Sequence, residues 1–229
     1  MINNVCIIDL ETTGLDPTQD QVIELGAILY SVKHQTILEQ FSCLLFVQEN
    51  PQEYTNKIPA KATHERGYSS SRLDRVLMDF ADDSDYLIAH NAAFDKQWNL
   101  FDELWQPWLC TCEDFIWPKN HQKANLINTC LNHGIGVTKV HRALSDCQLI
   151  AELFDRADDL QGLFEKAIAR SQEPLLTVLA GVNYDTRHLA QKAKFYWEPN
   201  KKVWQKEIKQ SDLLVESINW NFKYEVVDG

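Results

Sequence analysis

The chain has 229 residues, 45% hydrophobic and 24% charged, which is enough for one well-packed domain and a small appendage. No apolar stretch approaches the roughly 20 residues that a bilayer-spanning helix needs, which argues against a membrane protein. The net charge of −11 is unusual for a binder of polyanions, but a whole-chain charge hides local asymmetry. The first predicted strand begins almost at once and leaves no room for a secretion signal, so we expect a cytoplasmic protein.

The first predicted strand ends in a pair of acids. The run V-C-I-I at 5–8 is typical of a buried strand, and D-L-E-T-T-G-L follows at 9–15. Because side chains alternate along a strand, Asp9 and Glu11 project from the same face. A solvated turn is the usual setting of a lone D-x-E, but two acids that end a buried strand are costly without a cation. The motif therefore favours a metal site.

Two further strands are predicted at 22–32 and 36–47, with Gly26 marking either a bulge or close packing. The segment 50–61 is polar and holds two prolines, which predicts a surface loop. The pattern then indicates short helices near 60–66 and 72–82.

A second acidic motif, I-A-H-N-A-A-F-D, occupies 88–95. The pattern predicts a strand at 86–90 and a helix at 92–103, with Asp95 in the first turn of that helix. Acids are favoured near helix N-termini in any protein, so this segment by itself is compatible with a purely structural role.

The third motif, H-R-A-L-S-D at 141–146, introduces another predicted helix at 143–158. A strand near 109–111 and a helix near 123–133 precede it. His141 stands on the entering loop, where a lone histidine is usually just solvated, and Asp146 lies off the apolar helix face. A histidine titrates near neutrality, however, and can accept the proton of an attacking water.

Six cysteines raise the question of a zinc or redox role. Four lie within apolar patterns, and the C-x-C pair lacks a second pair of ligands at zinc spacing, so core or strand positions are favoured throughout. The four are Cys6, Cys43, Cys130 and Cys147, and the pair is Cys110 and Cys112.

The chain is predicted to end in a separate small module. We place a main domain at 1–160, a helical linker at 161–174 and a C-terminal module at 175–229, since Pro174 breaks the helical pattern. The module is predicted to contain a strand at 176–182, a helix at 186–193, a hairpin with strands at 195–198 and 203–206, and a last strand at 221–227.

Charge is also distributed unevenly along the chain. Residues 1–182 have a net charge of −12, whereas 183–229 have +1, with seven bases and two acids between 187 and 209. The hairpin pattern F-Y-W-x-P-N-K-K-x-W is similar to a small Lys/Trp module of some nucleic-acid enzymes. Trp197 and Trp204 either form a small core or stack on bases, and the lysines either contact phosphate or are simply solvated.

The three acidic motifs, in this order and spacing, resemble the exonuclease motifs of the DEDDh family over roughly residues 1–160. That family includes the proofreading epsilon subunit of bacterial DNA polymerase III, ribonuclease T and oligoribonuclease. The resemblance implies an α/β, RNase H-like fold with a mixed central sheet flanked by helices, followed here by the small C-terminal α+β module.

The resemblance also implies a mechanism. Two divalent cations, Mg²⁺ or Mn²⁺, would be held by Asp9, Glu11, Asp95 and Asp146, with His141 as general base. The expected activity is 3′–5′ hydrolysis of single-stranded nucleic acid to 5′ mononucleotides, with DNA favoured and RNA open. A binding-only protein is disfavoured because all five positions are present.

The resemblance also suggests which residues contact the substrate. In the family, the backbone after the first motif touches the terminal nucleotide, which suggests Thr12, Gly14 and Leu15. Leu15 has the alternative role of anchoring its turn. Asn91 either contacts the penultimate nucleotide or caps the following helix, and capping is the simpler role. His64 and Arg66 are further candidates for the substrate channel.

A second class of function stays open, in which the chain is an exonuclease subunit of a replication, repair or end-trimming complex. Residues 175–229 would then dock a protein partner, because interfaces also enrich aromatic residues. The resemblance leaves a homodimer open as well, as formed by some single-domain relatives.

Overall fold

A computed structural model describes residues 1–65, 70–118, 124–139 and 141–227 of the chain. The chain forms two units, Met1–Ser171 and Gln172–Gly229, each with its own sheet and its own hydrophobic core. Within the described ranges, no helix is long and apolar enough to cross a lipid bilayer.

The first unit is built on a five-stranded sheet. Its strands are β1 (Asn4–Thr12), β2 (Val22–Ser31), β3 (Thr36–Leu44), β4 (Tyr86–Ala89) and β5 (Trp108–Cys110). The strand order is β3-β2-β1-β4-β5, in which β1, β2 and β3 are antiparallel while β4 and β5 run parallel to β1. The mixed sheet predicted from the sequence is confirmed.

The helices of the first unit are α1 (Glu53–Asn56), α2 (Ala60–Glu65), α3 (Ser70–Asp82), α4 (Ala92–Asp95), α5 (Leu126–Asn132), α6 (Ala143–Asp155) and α7 (Leu160–Ser171). Position 66 of one predicted helix and position 123 of another lie outside the described residues. The surface loop predicted at 50–61 is wrong in part, because α1 and a buried side chain, Asn56, lie within it.

The continuous helix predicted at 92–103 is also wrong. Helix α4 ends at Asp95, the backbone becomes extended at Trp98, and a short 3₁₀ helix, Asn99–Phe101, follows. Trp98 and Phe101 are 3% and 4% exposed, and both pack in the core beneath the sheet. The chain thus buries both rings from an extended residue and a 3₁₀ helix rather than from one continuous α-helix.

Helices cover both faces of the sheet, and the alternation of side chains along β1 assigns each face its core. Val5 and Ile7 contribute to a core shared with α5, α6 and α7, whereas Cys6 and Ile8 contribute to a core shared with α3. Asp9 and Glu11 continue the first series of residues, so they lie on the side of the sheet that α6 covers.

Gly26 of β2 allows α6 to approach the sheet closely. A Cβ atom at this position would lie 2.4 Å from backbone atoms of both Ala143 and Leu144, at the start of α6. Gly26 pairs with Asp9 across β1 and β2. This close approach brings the start of α6 beside the acids of β1. Of the two roles predicted for Gly26, a bulge or close packing, the second is confirmed.

The cysteines of the chain are free thiols, and all except Cys112 are buried. Burial raises the pKa of Cys6 and of Cys43 to about 12. Such thiols stay protonated and behave as small apolar side chains, as the sequence pattern predicted.

The second unit contains β6 (Leu175–Gly181), α8 (Arg187–Lys192), β7 (Tyr196–Glu198), β8 (Val203–Lys209), α9 (Gln210–Glu216) and β9 (Lys223–Val227). Its antiparallel sheet has the order β7-β8-β6-β9. The core consists of buried apolar residues from the strands and both helices: Val178, Ala190, Phe195, Ile208 and Leu213. The sequence prediction missed α9, a helix of seven residues that buries only Asp212 and Leu213.

Candidate active site

The acids of the first motif lie within β1 rather than beyond its end. Asp9 pairs with Gly26 and Glu11 pairs with Glu24 in the register of β1 and β2, and the pairing becomes irregular only between Glu11 and Thr12. Two residues apart on a regular strand, Asp9 and Glu11 share one face, as the sequence predicted.

The second motif brings Asp95 against β1. Its side chain is 2% exposed, and the backbone N–H groups of Asp95 and Leu10 donate hydrogen bonds to its carboxylate. Asn91 has a left-handed backbone (φ 70°) and makes no side-chain cap to α4, so the capping prediction is wrong. The Asn91 side chain is instead exposed at the end of β4.

The third motif places His141 and Asp146 together at the start of α6. The backbone N–H of His141 donates to Asp146 Oδ2 at 3.2 Å, and His141 itself has a left-handed backbone (φ 59°). A left-handed conformation is unfavourable for residues with a Cβ atom, and such residues concentrate at functional sites. The His141 side chain is exposed, whereas that of Asp146 is half-buried.

Glu11, His141 and Asp146 form one cluster in space. A ligand atom from each of the three lies within 4.8 Å of the others. Asp9 is not in that group, but Asp95, Asp146 and Glu11 are close enough to raise its pKa. The structure thus brings together residues from all three motifs, of which the first and third are more than a hundred positions apart in the chain.

Burial and mutual repulsion raise the pKa of every carboxylate in this cluster. Burial, then the charges of Asp146 and Glu24, raise the pKa of Glu11 to about 8, while burial raises that of Asp146 to about 6. Burial also raises the pKa values of Asp9 and Asp95 well above their ordinary range. Crowded oxygen donors of this kind fit hard divalent cations, whose charge offsets the repulsion.

Glu24 holds the start of α6 against the sheet. Its carboxylate, 2% exposed, accepts hydrogen bonds from Arg142 Nε at 2.9 Å, Arg142 Nη2 at 2.7 Å and the backbone N–H of Ala143 at 3.0 Å. This clamp fixes the residues directly after His141. Glu24 is not among the site residues predicted from the sequence, although a single acid inside the apolar run V-I-E-L-G-A-I-L indicates a buried charge that needs a partner.

A buried asparagine supports the loop after the first motif. Asn56, 1% exposed, donates from Nδ2 to the carbonyl of Thr12 at 3.4 Å, and its Oδ1 accepts from the backbone N–H of Ile58 at 3.1 Å. Asn56 is the second supporting residue that was not predicted, because its segment, 50–61, has the polar composition of a surface loop. A polar loop with a fully buried amide cannot be recognised from composition alone.

The remaining substrate candidates divide into buried and exposed side chains. Thr12 is buried, and its hydroxyl donates to the carbonyl of Gly14 at 2.6 Å. The space beside Gly14 is filled by the Asp20 carboxylate, 2.2 Å from where a Cβ atom would stand. Leu15 is 79% exposed, so its alternative role as a turn anchor is wrong.

His64 is exposed and stacks on Phe46, with ring centroids 4.8 Å apart and Nε2 2.9 Å from the Val47 carbonyl. The other candidate from the same segment, Arg66, lies outside the described residues. A substrate role of His64 stays a prediction.

Two family models match the chain. An exonuclease model, RNase_T, matches residues 6–104, and a domain of unknown function, DUF8626, matches residues 177–227. The first match covers β1 to the region before β5 and includes two of the three acidic motifs. The second falls entirely within the second unit.

Among curated proteins, the chain is similar to the DNA polymerase III epsilon subunit of Treponema pallidum, with 30% identity over 159 residues, 64% of this chain and 72% of that protein. It is also similar to the PolC-type DNA polymerase III of Thermotoga petrophila, with 26% identity over 165 residues. That alignment covers 66% of this chain but only 11% of the much longer PolC protein.

Solved exonucleases share the fold. Exonuclease I of Escherichia coli, solved with a dT13 oligonucleotide, aligns with a TM-score of 0.60 at 12% identity, covering 97% of this chain and 65% of that chain.

Proposed function

Because the chain belongs to the DEDDh exonuclease family, we propose that it is a metal-dependent 3′–5′ exonuclease that degrades single-stranded nucleic acid to 5′ mononucleotides. The crowding of Glu11, His141 and Asp146 within 4.8 Å, beside the further acids Asp9 and Asp95, carries this proposal. DNA is the favoured substrate, since the curated relatives named above belong to DNA polymerase III.

The four acids are the proposed cation ligands. Asp9, Glu11, Asp95 and Asp146 offer hard oxygen donors, and their raised pKa values reflect a repulsion that cations would relieve. Two Mg²⁺ or Mn²⁺ ions, when bound, supply positive charge for the phosphate and for the leaving oxygen and activate the attacking water.

His141 is the proposed general base. Its exposed imidazole can accept a proton from the attacking water, while its backbone N–H is fixed on Asp146 at 3.2 Å. The Glu24 clamp on Arg142 and Ala143 supports this position from the other side.

Leu15 and Asn91 are the proposed contacts of the last nucleotides. Both side chains are exposed, Leu15 in the turn after β1 and Asn91 directly before α4. Leu15 offers an apolar surface to a base, and Asn91 offers an amide for a hydrogen bond. Thr12 and Gly14 would contribute only through their backbone, because the Thr12 hydroxyl already donates to Gly14.

The direct test is hydrolysis of matched 5′-labelled DNA and RNA strands by the purified chain with Mg²⁺, Mn²⁺ or EDTA. We expect a ladder that shortens from the 3′ end, lost in EDTA and in Asp9→Asn. Asp79→Asn, which changes an exposed acid on α3, serves as the matched control and keeps full activity. A ladder that persists in EDTA, or in Asp9→Asn, would contradict the proposed metal site.

The similarity to polymerase III proteins favours a second candidate, an exonuclease subunit of a replication, repair or end-trimming complex that is active mainly when docked. In that case residues 175–229 would bind the partner. Robust turnover by the isolated chain favours the first candidate, and light scattering of the same sample tests for a homodimer. The cytoplasmic location inferred from the sequence stays a prediction.

A further inference from the structure

Four residues align in one row across the sheet of the second unit. Trp197 pairs with Trp204, Trp204 with Ala180, and Ala180 with Tyr224. Directly opposed residues of antiparallel strands project from the same face. These four residues, one on each strand, form what we call the aromatic row.

The aromatic row is anchored at its centre and open at its ends. Trp204 and Ala180 are half-buried against the core, whereas Trp197 is 47% and Tyr224 is 42% exposed. The rings of Trp197 and Trp204 are in contact, with centroids 5.8 Å apart, and Tyr224 packs edge-on against Trp220 at 5.1 Å. Packing thus holds aromatic side chains in place while part of their surface reaches solvent.

The rings at the two ends of the row are the accessible ones. Ala180, between Trp204 and Tyr224, packs with Trp204 against the core, so Trp197 and Tyr224 provide the exposed aromatic surface. Planar bases can stack on such rings, and stacking on aromatic rings tolerates any base.

Lysines lie at one end of the row. Lys201 and Lys202 are exposed in the turn that joins the strands of Trp197 and Trp204. The segment 187–209 carries seven bases and two acids, within a chain whose first 182 residues have a net charge of −12. A basic surface on an otherwise acidic protein is complementary to a polyanion.

We propose that the aromatic row, with Lys201 and Lys202, binds single-stranded nucleic acid without sequence preference, the bases stacking on the rings and the phosphates contacting the lysines. A duplex would not expose its bases to such a surface, so an unpaired strand is the matching ligand. The identification of that strand as the substrate rests on the proposed exonuclease function. The row would then increase the affinity for strands longer than the active site alone can hold.

Binding is measured with the full chain in EDTA, so that hydrolysis does not interfere, by the fluorescence anisotropy of a labelled long oligothymidylate. We expect Trp197→Ala to weaken binding about tenfold, because one base loses its stacking partner. Trp197→Phe keeps a ring and should retain most of the affinity. Tyr196→Ala is the matched control, because Tyr196 is also 47% exposed but points to the opposite face of the same strand.

The double variant Lys201→Gln/Lys202→Gln tests the phosphate contacts. The slope of log affinity against log salt should become shallower by about 1.4, since each lost phosphate contact on a single strand removes about 0.7. Unfolding is checked by the melting temperature, which exposed turn lysines should not change. A salt slope equal to that of the unaltered chain would overturn the role of the lysines.

Hydrolysis separates a failure of this proposal from a failure of the proposed function. If the variants cleave a trinucleotide and a long strand like the unaltered chain, and affinities are unchanged, the row binds no strand while the exonuclease stands. If the unaltered chain cleaves neither substrate but strand binding depends on Trp197, the exonuclease assignment fails and the binding surface stands. If Trp197→Ala raises the KM for the long strand alone and leaves kcat unchanged, the result supports both the exonuclease function and the binding surface.

Discussion

The two units carry their candidate functional residues in different ways. In Met1–Ser171 the acids and the histidine stand in three short motifs, each readable on a single strand end or helix start. In Gln172–Gly229 the aromatic row takes one residue from each of four strands and becomes visible only in the sheet register. Metal-ligand and catalytic residues can be recognised from short sequence motifs. The residues of a binding surface can be recognised only when strand pairing shows which of them are neighbours.

The units also differ in charge. The first concentrates carboxylates whose pKa values are raised by burial and repulsion, so it suits cations. The second concentrates lysines around aromatic rings, so it suits an anion. Changes in the first unit should therefore alter hydrolysis and leave strand binding in EDTA unchanged, and the following variants test that separation.

His141→Ala should have the largest effect on rate. Loss of the proposed base should reduce kcat by about 10² to 10⁴, while cation binding and strand affinity in EDTA stay unchanged. His34→Ala, which removes another exposed histidine from the turn after β2, is the matched control. Single-turnover kinetics against pH provides the measurement, and an unchanged rate would remove His141 from the mechanism.

Gly26→Ala should damage the site through packing. The new Cβ would lie 2.4 Å from the backbone of Ala143 and Leu144, so α6 must shift away from Asp9. We expect a loss of about 1–3 kcal/mol of stability, together with a large loss of hydrolysis. Gly136→Ala is the control, because nothing lies within 4 Å of its Cβ. Equal melting temperatures for the two variants would contradict the close packing.

Glu24→Gln should weaken the clamp on α6 without removing a cation ligand. Arg142 loses its charged partner, and since its side chain is 44% exposed, water compensates in part, leaving a cost of about 2 kcal/mol. The expected result is a lower melting temperature and a lower kcat with little change in KM. Glu39→Gln, on the exposed part of β3, is the control. If kcat is unaffected, the clamp has only a structural role.

The smallest expected effect is a dependence of metal-free stability on pH. Glu11, with its pKa raised to about 8, and Asp146, raised to about 6, bind protons more tightly when folded than when unfolded. The stability they contribute is complete below their ordinary pKa values and is lost as pH rises through the raised ones. The melting temperature in EDTA should therefore fall between about pH 5 and pH 8.

Two further melting experiments, one with divalent cations and one with Glu11→Gln, test the cause of this fall in melting temperature. Mg²⁺ or Mn²⁺ should reduce the fall, because cations favour the ionised acids. Glu11→Gln should remove much of the fall even without cations. A melting temperature in EDTA that rises over the same interval would contradict the raised pKa values.

The sequence by itself determined the composition of the candidate site. The motifs at 9–15, 88–95 and 141–146 predicted the mixed sheet, the positions of β1, β4 and α6 on which the site stands, and the five residues assigned to it. This was possible because strand alternation and helix starts are local properties. The family relation to exonucleases was readable for the same reason.

Tertiary structure alone decided what holds these residues in place. The Glu24 clamp joins residues 118 positions apart, and the Asn56 contact to Thr12 joins residues 44 positions apart. The break between α4 and the 3₁₀ helix Asn99–Phe101 was likewise not predictable locally, because the spacing of Trp98 and Phe101 also suits a continuous helix. The aromatic row depends on strand register in the same way, since long-range packing, rather than local preference, selects which side chains become neighbours.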